Sequence, residues 1–375
     1  MKILLIGEYS RLHNSLKEGL QKNGHKVTLL GSGDGFKNYP VDIKIDSIFF
    51  NLKLFKLFAK LIDRLFKISL NELEMYYKAN KIISDLKGYD VVQLINENAF
   101  RTLPSLEILL IKTLMKNNEK LFLEKYGNEL SAQHHHLIRD VESCYLSSSL
   151  AVSLAKKYDS DLHVFHLTTE KEMELFTKGD VDGKKITSEV CVHHMHFNEG
   201  DYAELGNQIK CNPSIKEESD RLALIKALHE DKIDIIATDH APHTWDEKMR
   251  KYQDAPAGLP LVQHGLQILL DFYHQNILSL QTIVEKTTHN VAKRFQVKDR
   301  GFIREGYYAD LVILDIDKKY EVTDENILYK CGWSPFLGKT FNSSIHMTIC
   351  NGHIVFENGQ VKEDIPLGMQ IEFDR

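Results

Sequence analysis

The stretch IIATDHAPHTWDEK, residues 235–248, decides the fold class of this chain. It begins with an apolar run that predicts a buried strand, and Asp239, His240 and His243 follow that run almost at once. In a parallel βα array, catalytic side chains come from the carboxyl ends of the strands. The stretch therefore indicates one strand of such an array, with a carboxylate and two imidazoles just beyond its carboxyl end.

The sequence around this stretch predicts the rest of the array. The predicted strands are DLHVFHLTT (161–169), ITSEVCVHH (186–194) and KIDIIATDH (232–240). The predicted helices are SSLAVSLAKKY (148–158) and SDRLALIKALHED (219–231), so helices and strands alternate along the chain. Beyond residue 300, GFIREGYYADLVILD and SSIHMTICNGHIVFENGQ predict antiparallel strands. We expect an α/β fold in which a partial barrel is followed by a small β-sheet.

Histidine and aspartate residues lie at the ends of the predicted strands. His166, His193 and Asp239 occupy three of these ends. Imidazole nitrogens and a carboxylate hold a divalent metal while leaving a position open for water, and the metal makes that water more acidic. The set and its order, more than any single histidine, indicate a hydrolytic metal site.

The amino-terminal part of the chain predicts a separate α/β unit. Residues 3–6 form an apolar run, residues 11–25 have helical spacing up to Gly24, and residues 26–33 and 88–96 are predicted as strands. Glycines at 31, 33 and 35 do not form the G-x-G-x-x-G fingerprint after the first strand, which argues against dinucleotide binding. We expect half of a doubly wound domain here.

Residues 47–70 predict a basic amphipathic helix, because their cations recur three or four positions apart (Lys53, Lys56, Lys60, Arg64 and Lys67). Two interpretations stay open, a weak contact with an anionic membrane surface and a domain helix with a solvated lysine face.

Composition restricts the class of protein. A chain of 375 residues is long enough for two domains, and a hydrophobic content of 43% with a formal charge of −6 describes a soluble globular protein with no bulk affinity for nucleic acid. Its five cysteines contain no C-x-x-C pair, which favours a reducing, cytoplasmic location. No stretch of about 18 apolar residues predicts a membrane span.

Residues 1–118 resemble the amino-terminal, acceptor-side domain of bacterial glycosyltransferases built from two Rossmann-like domains. The resemblance rests on MKILLIGEYSRLHNSLKEGLQKNGHKVTLLGSGDGFKNYP (1–40) and YDVVQLINENAF (89–100). In that family the nucleotide-sugar is held mainly by the second domain, for which the sequence has no counterpart, and this argues against a transferase activity.

From about residue 120 the sequence resembles the dihydroorotases, zinc-dependent members of the amidohydrolase superfamily that interconvert dihydroorotate and N-carbamoyl-aspartate in pyrimidine synthesis. The matching stretches are LIRDVESCYLSSSLAVSLAKKY (137–158), LHVFHLTT (162–169), EVCVHH (189–194), KCNPSIK (210–216), IDIIATDHAPH (233–243), REGYYADLVILD (304–315) and YKCGWSPFLGKTF (329–341). ATDHAPH alone also admits hydantoinases and allantoinases, whereas KCGWSPF and CNPSIK favour dihydroorotase.

The resemblance implies roles for particular residues. His166 falls on a metal-binding histidine, and Asp239 falls on an aspartate that contacts the metal and carries the proton from the attacking water to the leaving nitrogen. The substrate-binding positions are Asn212, His243, Ala257 and Gly258. One or two zinc ions are implied. His193 and His240 are either metal ligands or structural residues. The structural role is favoured because strand-end histidines often form hydrogen bonds to groups that support the metal ligands.

The chain departs from the family before residue 120. The H-x-H-L-R motif with which dihydroorotases begin their barrel is not found there, and HHHLIRD (134–140) aligns with the middle of the family, so His134 and His136 are not expected to replace it. The predicted domains are a Rossmann-like fragment at 1–118, a partial barrel at 119–300 and a β-rich part at 301–375.

Three functions stay open on these grounds. The first is a dihydroorotase-type hydrolase acting on a small cyclic amide. The second is a non-catalytic remnant or interaction partner, with an oligomer or another chain covering the incomplete barrel. The third is a glycosyltransferase fragment acting through residues 1–118.

Overall fold

The computed structural model describes residues 2–6, 17–18, 20–22, 24–31, 42–44, 91–94, 106–362 and 368–374. The chain divides into two compact units, Met1–Leu110 and Ile111–Arg375. The basic segment predicted at 47–70 lies outside the described residues, as do Gly33 and Gly35.

The first unit contains a parallel sheet with the strand order β3-β2-β1-β4. Its strands are β1 (Lys2–Ile6), β2 (Lys26–Gly31), β3 (Ile43–Lys44) and β4 (Val91–Leu94). Helical residues at 17–18 and 20–22 lie between β1 and β2, so the predicted β-α-β opening is confirmed. Leu29 is fully buried in β2, and its main-chain N–H donates to Asp42 at 2.6 Å.

The remainder of the chain alternates helices with short strands. The helices are α1 (Leu106–Tyr126), α2 (His135–Ile138), α3 (Val141–Tyr158), α4 (Val192–His196), α5 (Tyr202–Leu205), α6 (Glu218–His229), α7 (Trp245–Lys248), α8 (Gly265–His274), α9 (Leu280–Val284) and α10 (Asn290–Phe295). The strands are β5 (Leu162–Val164), β6 (Ile186–Cys191), β7 (Ile235–Ala237), β8 (Leu311–Asp315), β9 (Tyr320–Glu321), β10 (Thr340–Phe341), β11 (Ser344–Cys350), β12 (His353–Glu357) and β13 (Gln360–Val361). Within the described part of the chain, no helix is long and apolar enough to cross a membrane.

Strands β5, β6 and β7 form a parallel sheet in that order. All three predicted strands are confirmed, but ITSEVCVHH stops being a strand at Cys191 and continues as helix α4. His193 therefore lies in the first turn of a helix that follows the strand. Val190 and Ile236 are buried with the helix residues Leu224 and Ile268 in one apolar core, as expected of strands covered by helices.

The amino end of β7 is held by two ion pairs whose lysines are buried. Lys184 contacts Asp234 at 2.7 Å, and the other carboxylate oxygen of Asp234 accepts from the main-chain N–H of Ser188 at 2.9 Å. Lys286, also buried, donates to Asp231 at 2.7 Å and to the carbonyl of Ile233 at 3.1 Å. These contacts anchor β7 at the end opposite Asp239.

The antiparallel part predicted beyond residue 300 is confirmed. Its main sheet has the order β13-β12-β11-β8, and β9 pairs with β10 in a separate two-stranded ribbon. Phe341 in β10 is fully buried and belongs to the same core as the parallel sheet. The ribbon thereby closes one side of that core.

Candidate active site

Two turns of the same shape follow strands β5 and β7. His166 lies two residues beyond the end of β5, and Asp239 lies two residues beyond the end of β7. Both residues adopt a left-handed backbone conformation, with φ of 43° and 44°. Non-glycine residues rarely take this conformation, and it concentrates at functional sites. Two of the residues predicted for the metal site thus sit at equivalent points of one sheet edge.

The Asp239 carboxyl is electrostatically linked to its neighbours across this edge. Burial raises its pKa, the neighbouring His166 imidazole lowers it, and the carboxylate of Glu189 in β6 raises it again. Asp239 as a whole residue is solvent-exposed, so its carboxyl is partly desolvated and still reachable by a ligand. A carboxyl of this kind can exchange a proton with a bound molecule.

His193 is buried without a hydrogen-bond partner. It is 0% exposed, and neither ring nitrogen is bonded within the part of the chain that the structure describes. Burial lowers its pKa to about 3, with a smaller contribution from His166. Leaving a buried polar group unbonded costs about 1–3 kcal/mol, and the scaffold role that the sequence favoured for His193 stays a prediction. A metal ion would satisfy one of the two ring nitrogens of His193.

Cys191 and His194 lie beside His193. The ligand atoms of these three residues are all within 4.8 Å of one another, and the two imidazole rings are 3.9 Å apart. Nε2 of His194 donates to the carbonyl of Pro213 at 3.1 Å, and its Nδ1 is buried without a partner among the described residues. Burial raises the pKa of the Cys191 thiol, and Glu189 and Asp239 add to the effect. Cys191 was not predicted as a site residue, since a lone cysteine in a strand gives no signal of its own.

The loops that carry the predicted substrate-binding residues converge next to Asp239. The main-chain N–H of Gly258 donates to the carbonyl of Lys210 at 2.8 Å, which joins the loop of Ala257 and Gly258 to the loop of Asn212. Nε2 of His243 donates to the carbonyl of Ala257 at 3.2 Å. The four residues predicted to bind substrate therefore lie in one connected set of loops.

A buried lysine holds these loops together. Nζ of Lys248 donates to the carbonyls of Lys210, Pro256 and Gly258 at 3.0, 3.0 and 2.8 Å. The residue is 0% exposed. Three acceptors satisfy the three N–H groups of an ammonium, so the loops are fixed relative to one another. The sequence offered no signal for this role, because a lysine after a turn is normally solvated.

His135 supports the Asn212 loop from behind. Its Nε2 donates to the carbonyl of Cys211 at 2.8 Å, which leaves Nδ1 to accept from the hydroxyl of Tyr252, also at 2.8 Å. Burial lowers the pKa of His135 to about 3, so the ring is neutral. His135 is the middle residue of the HHH run and stabilises the loop that presents Asn212.

Three histidines of the literal H-x-H pairs pack against aromatic rings. His134 packs its ring 4.1 Å from that of Tyr126, whereas His136 stacks on Tyr202 at 6.4 Å. In the HHMHF stretch, His194 belongs to the cluster with His193, but His196 packs against Phe336 at 5.5 Å. The prediction that His134 and His136 do not replace the first-strand motif is consistent with these contacts.

His240 is bonded by the chain, which agrees with the scaffold role favoured from the sequence. Its Nδ1 accepts from the main-chain N–H groups of Leu261 and Val262 at 3.0 and 3.3 Å, and its ring stacks on Tyr329. The KCGWSPF segment reaches the same loop, since the indole of Trp333 donates to the carbonyl of His243 at 2.8 Å.

Comparison with known proteins agrees with this architecture. The model of the amidohydrolase family matches residues 149–355, more than half of the chain. The chain belongs to the amidohydrolase family.

Among curated proteins, the chain is similar to dihydroorotases. It is similar to that of Clostridium acetobutylicum, with 36% identity over 212 residues, which is 56% of this chain and 49% of the relative. It is similar to that of Pyrococcus abyssi, with 34% identity over 211 residues, which is 56% of this chain and 50% of the relative. The chain spans about half the length of these relatives.

Solved structures share the fold at low sequence identity. The L-hydantoinase (dihydropyrimidinase) of Arthrobacter aurescens superposes with a TM-score of 0.63 at 17% identity, covering 93% of this chain and 75% of that one. The dihydropyrimidinase of Brevibacillus agri gives 0.64 at 16% identity, covering 96% and 77%. The predicted amidohydrolase fold is thus confirmed. These relatives give no support to the glycosyltransferase resemblance of residues 1–118, which stays a prediction.

Proposed function

We propose that this chain is a metal-dependent cyclic amide hydrolase of the dihydroorotase type, acting on dihydroorotate or N-carbamoyl-aspartate in pyrimidine synthesis. The observation that carries the proposal is His193, whose two buried ring nitrogens have no hydrogen-bond partner in the described part of the chain, next to the His166 and Asp239 edge. The 31–36% identity to dihydroorotases supports the substrate class.

His166 and Asp239 would hold the metal together with His193, whose ligand atoms lie within 4.8 Å of those of Cys191 and His194. The donor set is two imidazoles and a carboxylate, which suits zinc and other divalent ions that prefer the same kinds of ligand. Cys191 is a further donor close to His193. A bound zinc ion would polarise the amide carbonyl and make the attacking water more acidic.

Asp239 moves the proton. Its partly desolvated carboxyl has a raised pKa and neighbours of both charges. A carboxylate placed here accepts the proton of the attacking water and returns it to the ring nitrogen that leaves. The substrate ring is oriented by Asn212, His243, Ala257 and Gly258. The hydrogen bonds of Lys248 hold the loops of these residues in fixed positions.

The same proposal extends to the organisation of the chain. Residues 1–118 form a Rossmann-like α/β part, 119–300 a partial amidohydrolase barrel, and 301–375 its β-rich end. The parallel order β3-β2-β1-β4 supports the first assignment. A small-molecule substrate and a cytoplasmic location follow from the proposed reaction.

Metal content and turnover, measured together, test the proposal. Zinc per chain is determined by elemental analysis on protein purified without chelator, and dihydroorotate hydrolysis is followed on the same sample. We expect bound zinc and turnover, with Asp239→Asn losing at least about 100-fold in kcat. A folded chain with neither zinc nor turnover would overturn the proposal in favour of a non-catalytic role.

A further inference from the structure

Cys191, His193 and His194 lie where strand β6 passes into helix α4. The strand ends at Cys191 and the helix begins at Val192, so one turn of the chain carries a thiol and two imidazoles. The exposed fractions of the three residues are 0%, 0% and 3%, and one ligand atom from each lies within 4.8 Å of the other two. These three residues form the thiol–imidazole cluster.

The ring nitrogens of the cluster are largely unused by the protein. Both nitrogens of His193 are buried without a hydrogen-bond partner among the described residues, and so is Nδ1 of His194. Nε2 of His194 donates to the carbonyl of Pro213 at 3.1 Å, so the hydrogen lies on Nε2 and the lone pair of Nδ1 is available. Histidines that bind metals usually donate their other ring N–H to a carbonyl or a carboxylate in this way. His194 therefore has the tautomer that a ligand through Nδ1 requires.

The contact between the two rings does not compensate these nitrogens. The ring centroids are 3.9 Å apart and the planes are tilted by 43°. Such a contact joins the ring faces, whereas the lone pairs and the N–H bonds of an imidazole lie in the ring plane. Each buried polar group left unbonded costs about 1–3 kcal/mol, and a cation bound by the cluster would remove part of that cost.

The donors of the cluster select the class of cation. One thiolate sulfur and two imidazole nitrogens suit zinc and its analogue cobalt(II), whereas magnesium and calcium prefer oxygen ligands. A tetrahedral zinc ion places such donors roughly 3.5 Å apart, so ligand atoms that lie within 4.8 Å of one another reach it through side-chain shifts of about 1 Å. Binding requires the thiolate, and the thiol proton passes to solvent.

A second buried thiol lies beside the cluster but is bonded elsewhere. Sγ of Cys211 donates to the carbonyl of Pro213 at 3.1 Å. It lies 3.8 Å from Nε2 of His194, the nitrogen that donates to the same carbonyl. Cys211 therefore faces the side of His194 that is already hydrogen-bonded, and Cys191 is left to supply the sulfur ligand.

We propose that Cys191, His193 and His194 bind a thiophilic divalent cation of the zinc class as a site of their own. This site goes beyond the proposed function, because it needs neither His166 nor Asp239 and has only His193 in common with the proposed hydrolytic metal. Its thiolate ligand also gives it a spectroscopic signature that imidazole and carboxylate ligands do not have.

Cobalt(II) titration of the metal-free full chain tests this site. A thiolate–cobalt(II) bond gives a charge-transfer absorption in the near ultraviolet. Wild-type protein is expected to develop this band, and Cys191→Ser is expected to lose it. His194→Gln should need at least about 10-fold more cobalt to reach half of the band's amplitude. His166→Asn should keep the band, because the cluster does not include His166.

Cys211→Ser is the matched control, because it removes a buried thiol beside the cluster by the same single-atom change, and it should keep the band. Thermal unfolding in metal-free buffer checks that each variant is folded, and Cys191→Ala serves if Cys191→Ser is not. A wild-type chain without the band, or a band that survives in a folded Cys191 variant, would overturn the site.

The other variants separate the site from its neighbours. Loss of the band in folded Cys211→Ser would assign the thiolate to Cys211 and overturn the ligand set. Its loss in folded His166→Asn would overturn the independence of the site from the strand edge. Dihydroorotate hydrolysis by the zinc-loaded wild type distinguishes the two proposals. Turnover without the band would leave only the proposed function, and the band without turnover would leave only the cation site.

Discussion

Nζ of Lys248 lies 2.8 Å from the carbonyl oxygen of Gly258, and the same ammonium also binds the carbonyls of Lys210 and Pro256. Burial lowers the pKa of Lys248 to about 7, with Lys210 opposing its charge as well. A buried amine is destabilising unless its hydrogen bonds are complete. Three carbonyl acceptors complete them, and they belong to the two loops that present Asn212 and Ala257.

Lys248→Met should therefore destabilise the protein, because the carbonyls of Pro256 and Gly258 lose the Lys248 donor and that of Lys210 keeps the N–H of Gly258. We expect the free energy of unfolding to fall by about 2–4 kcal/mol, measured by urea unfolding at pH 7. Lys251→Met, at an exposed lysine three residues away, is the control and should change stability by less than about 0.5 kcal/mol. Equal effects of the two substitutions would show that the ammonium does not hold the loops.

Gly258 gives a second prediction about the same loops. Its φ is +132°, and a Cβ placed there would lie 2.5 Å from the carbonyl oxygen of Ala241. Gly258→Ala should push the Ala257 loop away from the Asp239 turn and weaken binding of dihydroorotate more than it lowers stability elsewhere in the chain.

Gly306→Ala separates the effect of backbone strain from that of steric overlap. Gly306 has a φ of +82° but no atom within 4 Å of the point that an added methyl group would occupy. The control should show backbone strain of about 1 kcal/mol and unchanged ligand binding. If Gly258→Ala behaves like Gly306→Ala in a titration with dihydroorotate, close packing against Ala241 has no part in shaping the site.

Buried neutral histidines predict loss of stability in mild acid. Burial lowers the pKa values of His135 and His196 to about 3 and that of His264 to about 4. In the unfolded chain each imidazole titrates near pH ~6.5, so between about pH 6.5 and 4 the unfolded state binds more protons than the folded state. The stability that these groups contribute is complete above about pH 6.5 and is lost as pH falls towards 4.

At pH 5 each of the three fully neutral rings should reduce the free energy of unfolding by about 2 kcal/mol relative to pH 7.5. Urea unfolding at a series of pH values measures the loss, with chelator present throughout so that metal release does not contribute. His135→Gln should flatten the curve, since one titrating group is removed. A stability that stays constant from pH 7.5 to 5 would contradict this account.

The sequence predicted the parallel array and the residues at its edge because both follow from local patterns. Apolar runs such as 235–237 end at polar residues, and the carboxyl ends of parallel strands meet at one edge, so the pattern alone is enough to place His166 and Asp239 together. The extent of the strand after Cys191 was wrong, since a valine followed by two histidines suits a strand or a first helical turn equally well.

What the sequence did not reveal depends on contacts between distant residues. Lys248 and Lys210 are separated by 38 positions, and nothing in their neighbours signals that both side chains are buried on carbonyl groups. His135 lies 76 positions from the carbonyl that it binds. The sequence likewise offered no sign that both ring nitrogens of His193 lack a hydrogen-bond partner among the described residues, because that is a property of the packed core.

His193 should be needed for metal binding, whereas an exposed histidine should not. Its ring nitrogens are buried without partners among the described residues, and Cys191 and His194 lie within reach of the same point. His193→Asn should lower the zinc content of the purified chain to well under half of the wild-type value. His229→Asn, at the exposed end of α6, removes one imidazole of no structural importance and should leave the zinc content unchanged. Elemental analysis after dialysis against metal-free buffer measures both variants. Equal loss of zinc from both variants would mean that surface histidines bind the zinc adventitiously. An undiminished zinc content in a folded His193→Asn protein would show that residues other than His193 bind the metal.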